Sequence, residues 1–166
     1  MRRNWTVETF AQNQYFNNYQ CMRICGTRDA SAAIDVINNV FSFVGLLEHY
    51  DESLVLMKFL LGDDSFDNRY EQKNTSTESM KIYKWKELSE QQKELVYSAN
   101  KEDEKLYNYV LNEYYPCLKD KMSGLSFELK KFKEENKNYV LPLPSYIKSK
   151  ISNYYLTKFV QPLTTR

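Results

Sequence analysis

The sequence predicts an α/β fold that is predominantly helical and contains one short buried strand. Apolar residues recur at three- and four-residue spacing in several segments, which is the period of an α-helix. Residues 41–46 instead form an apolar run of β-forming residues broken only by Ser42, which favours a buried strand. With 166 residues, of which 42% are hydrophobic, the chain can bury a core of its own. We therefore expect a single domain over residues 1–166.

Two helices are predicted on either side of this strand. Apolar spacing indicates a helix over residues 29–39, with Thr27 or Asp29 as its N-cap. The helix after the strand should be capped by Asp51 and should end at Gly62, because glycine readily takes the left-handed conformation of a C-cap.

Three more helices are predicted in the second half of the chain. Ser89 is a suitable N-cap for a long helix that extends to Tyr115, where Pro116 should end or kink it. Residues 122–136 continue the helical spacing, and residues 147–159 form a terminal helix with one apolar face.

Charge and glycine content argue against several functions. The formal net charge is only +1, so there is no basic excess for nucleic-acid binding and no polybasic membrane-binding run. None of the four glycines lies in a phosphate-cradling pattern. No run approaches the ~20 apolar residues of a membrane helix, so we expect membrane attachment only through an upstream anchor.

The cysteines do not predict a metal site. Cys21, Cys25 and Cys117, together with a single histidine, lack the spacing of zinc ligands. A Cys21–Cys25 disulfide in an oxidising compartment and buried free thiols are both compatible with the sequence. Glycosylation sequons begin at Asn4 and Asn74, and they favour a lumenal setting only weakly.

An acidic corner follows the predicted strand and contains the only histidine. Imidazole chemistry would have to use His49, whose simpler interpretation is a solvated residue beside a helix. Asp51 and Glu52 are explained as the cap and a first-turn residue favoured by the helix dipole. Glu48 ends the predicted buried strand, so we expect it to make a structural hydrogen bond or salt bridge. No catalytic residue is assigned.

A polar loop at residues 63–80 is longer than most structureless connections, and such loops are usually either functional or disordered. Within residues 70–77, the chemistry suits capture of phosphate or adenine. Lys73 supplies a positive charge, while Asn74 and Thr75 supply directional hydrogen bonds. An ordinary solvated loop has a similar composition.

Two motifs, in this order, resemble the carbohydrate sulfotransferases. That family has a strand of the form Phe-x-x-Val-Gly-x-x-Glu and then a helix beginning Asp-Glu-Ser-Leu, which residues 41–48 and 51–54 match. A polar loop and an Asn-x-x-Asp-x-x-Leu-Tyr helix follow in the family, and residues 100–107 match that helix. The similarity is greatest to the galactose 3-O- and uronyl 2-O-sulfotransferases. It covers residues 13–115, so residues 116–166 would be a helical extension.

The resemblance implies the C-terminal portion of a P-loop-like sulfotransferase fold. The whole protein would be a Golgi-lumenal, membrane-anchored glycoprotein that transfers a sulfuryl group from 3′-phosphoadenosine 5′-phosphosulfate (PAPS) to a carbohydrate hydroxyl. By position, Lys73, Asn74 and Thr75 would contact the nucleotide, although a glycan on Asn74 would obstruct it. The family's phosphosulfate loop (Pro-Lys-x-Gly-x-x-Ser/Thr) and catalytic base belong upstream of the match, and this sequence does not contain them. We therefore expect these 166 residues to be a fragment that is inactive alone.

A second hypothesis comes from a different class of protein. The chain would be a non-catalytic helical interaction domain, in which tyrosine-rich faces over residues 107–115 and 146–155 bind a protein partner.

Overall fold

The computed structural model describes residues 6–71 and 84–142, and helices dominate both ranges. The α-helices are α1 (Val7–Ala11), α2 (Tyr19–Cys25), α3 (Ala30–Val40), α4 (Tyr50–Leu61), α5 (Glu90–Ala99), α6 (Lys101–Tyr109), α7 (Tyr115–Asp120) and α8 (Leu125–Asn136). Short 3₁₀ turns occupy Leu47–His49 and Trp85–Glu87, and a π-helical turn at Val110–Tyr114 joins α6 to α7.

The predicted α/β fold is wrong for the part of the chain that the structure describes, because it contains no strand and no sheet. A P-loop-like sulfotransferase fold is therefore not what these residues form. Residues 41–46 are an irregular connection between α3 and α4, with extended backbone at Phe41 and at Leu46. Extended backbone becomes a strand only when a neighbouring strand pairs with it. Here the Leu46 N–H donates its hydrogen bond to the Ser53 hydroxyl instead of to a neighbouring strand.

The core lies where α2, α3, α4, α6 and α7 meet. Its buried members are Cys21, Ala30, Ala33, Ile37, Leu46, Leu56, Leu106, Val110, Tyr115 and Leu118. Small side chains on α3 let it pack closely against α2 and α6, while α8 packs on α4 and α1 packs on α5. This arrangement holds the N-terminal end of α4 against α7.

Most predicted caps are confirmed. Asp29 is the N-cap of α3 and accepts a hydrogen bond from the Ser31 N–H at 2.9 Å. Gly62 ends α4 with φ of 61°, and Ser89 forms a capping box with Gln92 at the start of α5. The predicted Asp51 cap is wrong: α4 begins at Tyr50, its N-cap is His49, and Asp51 lies in its first turn.

The long helix predicted from Ser89 to Tyr115 is interrupted at Asn100. The Asn100 side-chain amide donates to the Val96 carbonyl at 2.8 Å, which competes with helix continuation. Pro116 does not end a helix but lies in the first turn of α7, where its missing N–H is tolerated. Helix α8 confirms most of the helix predicted over residues 122–136, whereas the helix predicted at residues 147–159 lies outside the described residues.

Candidate functional site

Ser53 organises the junction between the 41–46 connection and the helices. Its side chain is only 6% exposed. Its hydroxyl accepts from the Leu46 N–H at 3.0 Å, donates to the Leu46 carbonyl at 3.1 Å, and lies 3.1 Å from the Tyr115 hydroxyl. One side chain of α4 therefore fastens the connection to α7.

Gly45 makes this close approach feasible. A Cβ at residue 45 would lie 2.9 Å from Ser53 Cβ and 3.1 Å from the Phe43 ring. Any larger residue would push the connection away from α4. The glycine in the Val-Gly pair of the first motif is thus explained by packing.

The His49 ring lies beside this junction and stacks on Tyr115 at 5.7 Å between ring centroids. Burial raises the pKa of the Tyr115 hydroxyl to about 12, although its hydrogen bond with Ser53 opposes the rise. The Tyr115 hydroxyl therefore stays protonated at physiological pH. The exposed position of His49 agrees with the solvated-corner interpretation.

A shallow pocket of about 240 Å³ opens at the N-terminal end of α4. Its wall is formed by Leu47, Glu48, His49, Tyr50, Asp51, Glu52, Tyr70, Leu129 and Lys133. The Tyr70 hydroxyl donates to Asp51 at 2.8 Å, and its ring meets the Tyr50 ring edge-on at 4.8 Å. Burial, and then the Asp51 carboxylate, raise the pKa of Tyr70 to about 12, so Tyr70 stays a hydrogen-bond donor.

The charge of this pocket is mainly negative. Three carboxylates line it, against the single ammonium of Lys133. Glu52 forms an ion pair with Lys119 at 3.3 Å outside the pocket wall, whereas Glu48 is exposed and makes no ion pair or hydrogen bond within the described ranges. The structural partner predicted for Glu48 is therefore not found among these residues.

Carboxylate acceptors beside aromatic rings suit a polar, hydroxyl-rich ligand better than an anionic one. Hydroxyls can donate to Glu48, and an exposed ring such as Tyr50, which is 43% exposed, offers an apolar face. A phosphate group would meet like charge here. The lining of this pocket therefore does not favour a phosphate group.

The predicted nucleotide-binding loop starts at this pocket. The Tyr70 N–H donates to Asn136 at the end of α8 at 2.8 Å, which fixes the chain where it enters the loop. Just before Tyr70 in the chain, Asp67 pairs with Arg69, and the Arg69 guanidinium lies over the Tyr139 ring. Lys73, Asn74 and Thr75, the predicted nucleotide contacts, lie outside the described residues.

The second motif, at residues 100–107, forms reciprocal caps between α2 and α6. The Asp103 carboxylate accepts from the N–H groups of Gln20 and Cys21, both at 2.9 Å. The Asn18 side chain in turn accepts hydrogen bonds from the N–H groups of Glu102 and Asp103. The aspartate of this motif therefore has a structural role.

The three cysteines are free thiols, so the Cys21–Cys25 disulfide is not formed; the alternative of buried free thiols holds for Cys21 but not for the half-buried Cys25 or the exposed Cys117. Cys21 is fully buried, and burial raises the pKa of its thiol to about 12. Among the described residues, no group of three or more histidine, cysteine or acidic side chains is placed to hold a metal ion. None of the described helices is long and apolar enough to cross a membrane.

Comparison with protein-family models, with curated proteins and with solved structures found no match. What the geometry defines is a helical domain with an acidic and aromatic pocket at the N-terminal end of α4.

Sequence reasoning did not identify Ser53, Tyr70 or Tyr115 as parts of the site. Ser53 belongs to the Asp-Glu-Ser-Leu match, so the motif contained the signal, but its role depends on a partner 62 residues away. The contact between Tyr70 and Asp51 has no counterpart in local spacing.

Proposed function

We propose that this chain takes part in transferring a sulfuryl group from PAPS to a carbohydrate hydroxyl. It would contribute the pocket at the start of α4, which receives the acceptor sugar, and the loop with Lys73, Asn74 and Thr75, which contacts the nucleotide. The phosphosulfate loop and the catalytic base would come from further polypeptide. The proposal includes a Golgi-lumenal setting through that polypeptide.

The observation that carries the proposal is the anchoring of Tyr70. This residue ties the entry of the nucleotide-contacting loop to Asp51 in the pocket wall and to Asn136 on α8. A loop that starts at the rim of a sugar-compatible pocket has the placement that a transferase needs, because donor and acceptor must meet. The two motifs, matched in order, are the support from sequence.

The roles of the residues follow from their chemistry. Lys73 would pair with a phosphate, while Asn74 and Thr75 would hydrogen-bond to the nucleotide. Glu48 would accept a hydrogen bond from a sugar hydroxyl, and Tyr50 would pack against the sugar ring. No group in the described pocket is assigned as the base that deprotonates the acceptor.

The test uses the native polypeptide that carries this sequence, whose intact mass is measured first. Calorimetric titration with 3′-phosphoadenosine 5′-phosphate should show binding, and Lys73→Ala with Thr75→Ala should weaken it. Lys101→Ala, an exposed lysine on α6, is the matched control and should leave binding unchanged. A native protein that binds no nucleotide would rule the proposal out.

Glu48→Gln tests the acceptor side separately. It should raise KM for the carbohydrate acceptor without changing the affinity for the nucleotide. An equal loss on both sides would place Glu48 outside the acceptor site.

The second candidate is a non-catalytic helical interaction domain, which the exposed apolar side chains at the end of α4 favour. Phe59 and Leu61 are 45% and 58% exposed, and Phe127 on α8 is 71% exposed. Of the predicted tyrosine faces, Tyr107 is 40% exposed, whereas the face at residues 146–155 lies outside the described residues. A native mass of 19.8 kDa without nucleotide binding would favour this candidate.

A further inference from the structure

The charges on the wall of the pocket at the start of α4 bear on which kind of sugar it can hold. We propose that this pocket accepts a single uncharged sugar unit and rejects a uronic or sulfated one, with Glu48 and Lys133 binding the sugar hydroxyls from two different elements. The inference rests on the proposed sulfuryl transfer and narrows the class of its acceptor.

Two charged side chains of the wall have no partner within residues 6–71 and 84–142. Glu48 lies in the 3₁₀ turn before α4, and Lys133 lies on α8. Both are exposed, and neither makes an ion pair or a hydrogen bond in those ranges. A carboxylate only accepts hydrogen bonds and an ammonium only donates them, whereas a hydroxyl does both. A ligand with several hydroxyls can therefore satisfy Glu48 and Lys133 together.

The other two carboxylates of the wall differ in how far their charge is offset. Glu52 lies 3.3 Å from the Lys119 ammonium, which offsets its charge. Asp51 accepts from the Tyr70 hydroxyl at 2.8 Å, and this neutral donor leaves the carboxylate charge in place. With Glu48, the pocket therefore has two uncompensated carboxylates against one ammonium. A carboxylate or sulfate on the ligand would meet this negative excess, and an uncharged sugar would not.

The rest of the wall suits the apolar face of one sugar ring. Tyr50 is 43% exposed and Leu47 is 80% exposed, and both line the pocket. The C–H face of a pyranose can pack on these side chains while its hydroxyls reach the charged groups. The volume of about 240 Å³ is below the roughly 300–1,000 Å³ of pockets for drug-sized ligands. The pocket therefore suits one sugar unit rather than a nucleotide or a long oligosaccharide.

The elements that carry Glu48 and Lys133 are joined before a ligand arrives. The Tyr70 N–H donates to Asn136 at the end of α8, and the Tyr70 hydroxyl donates to Asp51 in the first turn of α4. One residue thus links the two helices that form the pocket wall. Because the wall is already ordered, a ligand loses little affinity to ordering it.

The test measures the affinity of the native polypeptide for matched sugars by saturation-transfer NMR. Methyl galactoside and methyl glucoside are each compared with the corresponding methyl uronide, in which a carboxylate replaces the exocyclic hydroxymethyl group. At least one hexoside should bind, and its uronide should bind at least ~5-fold more weakly because of the negative excess. At about 1 M salt, where the Debye length falls to about 3 Å, this difference should shrink.

Substitutions of exposed residues separate the two binding groups. Glu48→Gln removes one uncompensated charge and should reduce the preference for the hexoside to less than ~2-fold. Glu104→Gln removes an exposed charge on α6 and should leave the preference unchanged. Lys133→Met should weaken hexoside binding several-fold, and Lys130→Met, an exposed lysine of the same helix outside the pocket wall, is its matched control.

Equal binding of a hexoside and its uronide would overturn the inference, as would an absence of binding by both hexosides. These failures are distinguishable from a failure of the proposed transfer. A native protein that binds 3′-phosphoadenosine 5′-phosphate but shows no sugar preference retains the proposed transfer and loses only this inference. A protein that prefers hexosides but binds no nucleotide loses the transfer, while the charge preference of the pocket stands.

Discussion

Replacing Ser53 with alanine should destabilise the protein more than any other single hydroxyl removal within the described residues. The Ser53 hydroxyl bonds the N–H and the carbonyl of Leu46 and lies 3.1 Å from the Tyr115 hydroxyl. Alanine keeps the helix and removes only the oxygen. The Leu46 carbonyl still accepts from the His49 N–H at 3.1 Å, so the Leu46 N–H is left without its partner and the Tyr115 hydroxyl loses its hydrogen bond with Ser53.

The size of the effect follows from these two groups. A buried polar group left without its partner costs about 1–3 kcal/mol, and a lost neutral hydrogen bond costs about 1 kcal/mol. Together they predict a loss of about 2–4 kcal/mol in the free energy of unfolding, which corresponds to a fall in Tm of about 4–16 °C for a domain of this size. Tyr115→Phe keeps the Ser53 hydroxyl on the Leu46 backbone and should cost less, about 1 kcal/mol.

These differences in the free energy of unfolding are measured by urea unfolding, with the circular-dichroism signal of the helices as the readout. Ser98→Ala on α5 is the control, because the Ser98 side chain is exposed and its hydroxyl makes no hydrogen bond within the described ranges. In a double-mutant cycle, Tyr115→Phe should cost less when Ser53 is already alanine. If Ser53→Ala and Ser98→Ala agree within about 0.5 kcal/mol, the inferred role of the Ser53 hydroxyl is refuted.

Three further measurements test other parts of the structure. Asp103→Ala removes the cap of α2 and should lower the free energy of unfolding, measured in urea, by about 1–2 kcal/mol. Asp103→Asn keeps one acceptor and should lower it less. Equal losses would contradict the capping role. Hydrogen bonding to Arg69 lowers the pKa of Asp67 to about 2 from 3.8. The pair therefore stabilises the fold above about pH 4, and this contribution is lost as the pH falls toward 2. Arg69→Gln should return the pKa of Asp67, followed by NMR, toward 3.8. An unchanged pKa would argue against the pair. Iodoacetamide should alkylate exposed Cys117 well before buried Cys21, as read by mass spectrometry, because burial raises the Cys21 thiol pKa to about 12.

The helices and most of their ends could be predicted from sequence because their signals are local. Asp29, Gly62 and Ser89 act on backbone groups within a few residues, so the pattern alone contains the information. Asp51 failed as a cap because the 3₁₀ turn at Leu47–His49 leads directly into α4, so the N-cap position falls at His49, two residues earlier.

Local sequence signals could not decide whether residues 41–46 form a strand. An apolar run such as residues 41–46 indicates burial and extended backbone, but strand formation depends on a neighbour that the run does not encode. Only Leu46 is buried, while Phe41 is 45% exposed. The candidate site was predictable in part: Glu48, His49 and Asp51 were recognised as one corner, but Tyr70 joins them from 19 residues away.

The motif residues can now be separated by what they do in the fold. Gly45 permits close packing, Ser53 fastens the connection, and Asp103 caps α2, so each has a structural reason to be where it is. Glu48 differs, because it is exposed and makes no ion pair or hydrogen bond within the described ranges, although it belongs to the same motif. A carboxylate that contributes nothing to the fold and stands at the wall of a pocket is available for a ligand. Replacement of Glu48, rather than of the buried residues of the motif, is therefore the direct test of the carbohydrate-binding role that we propose.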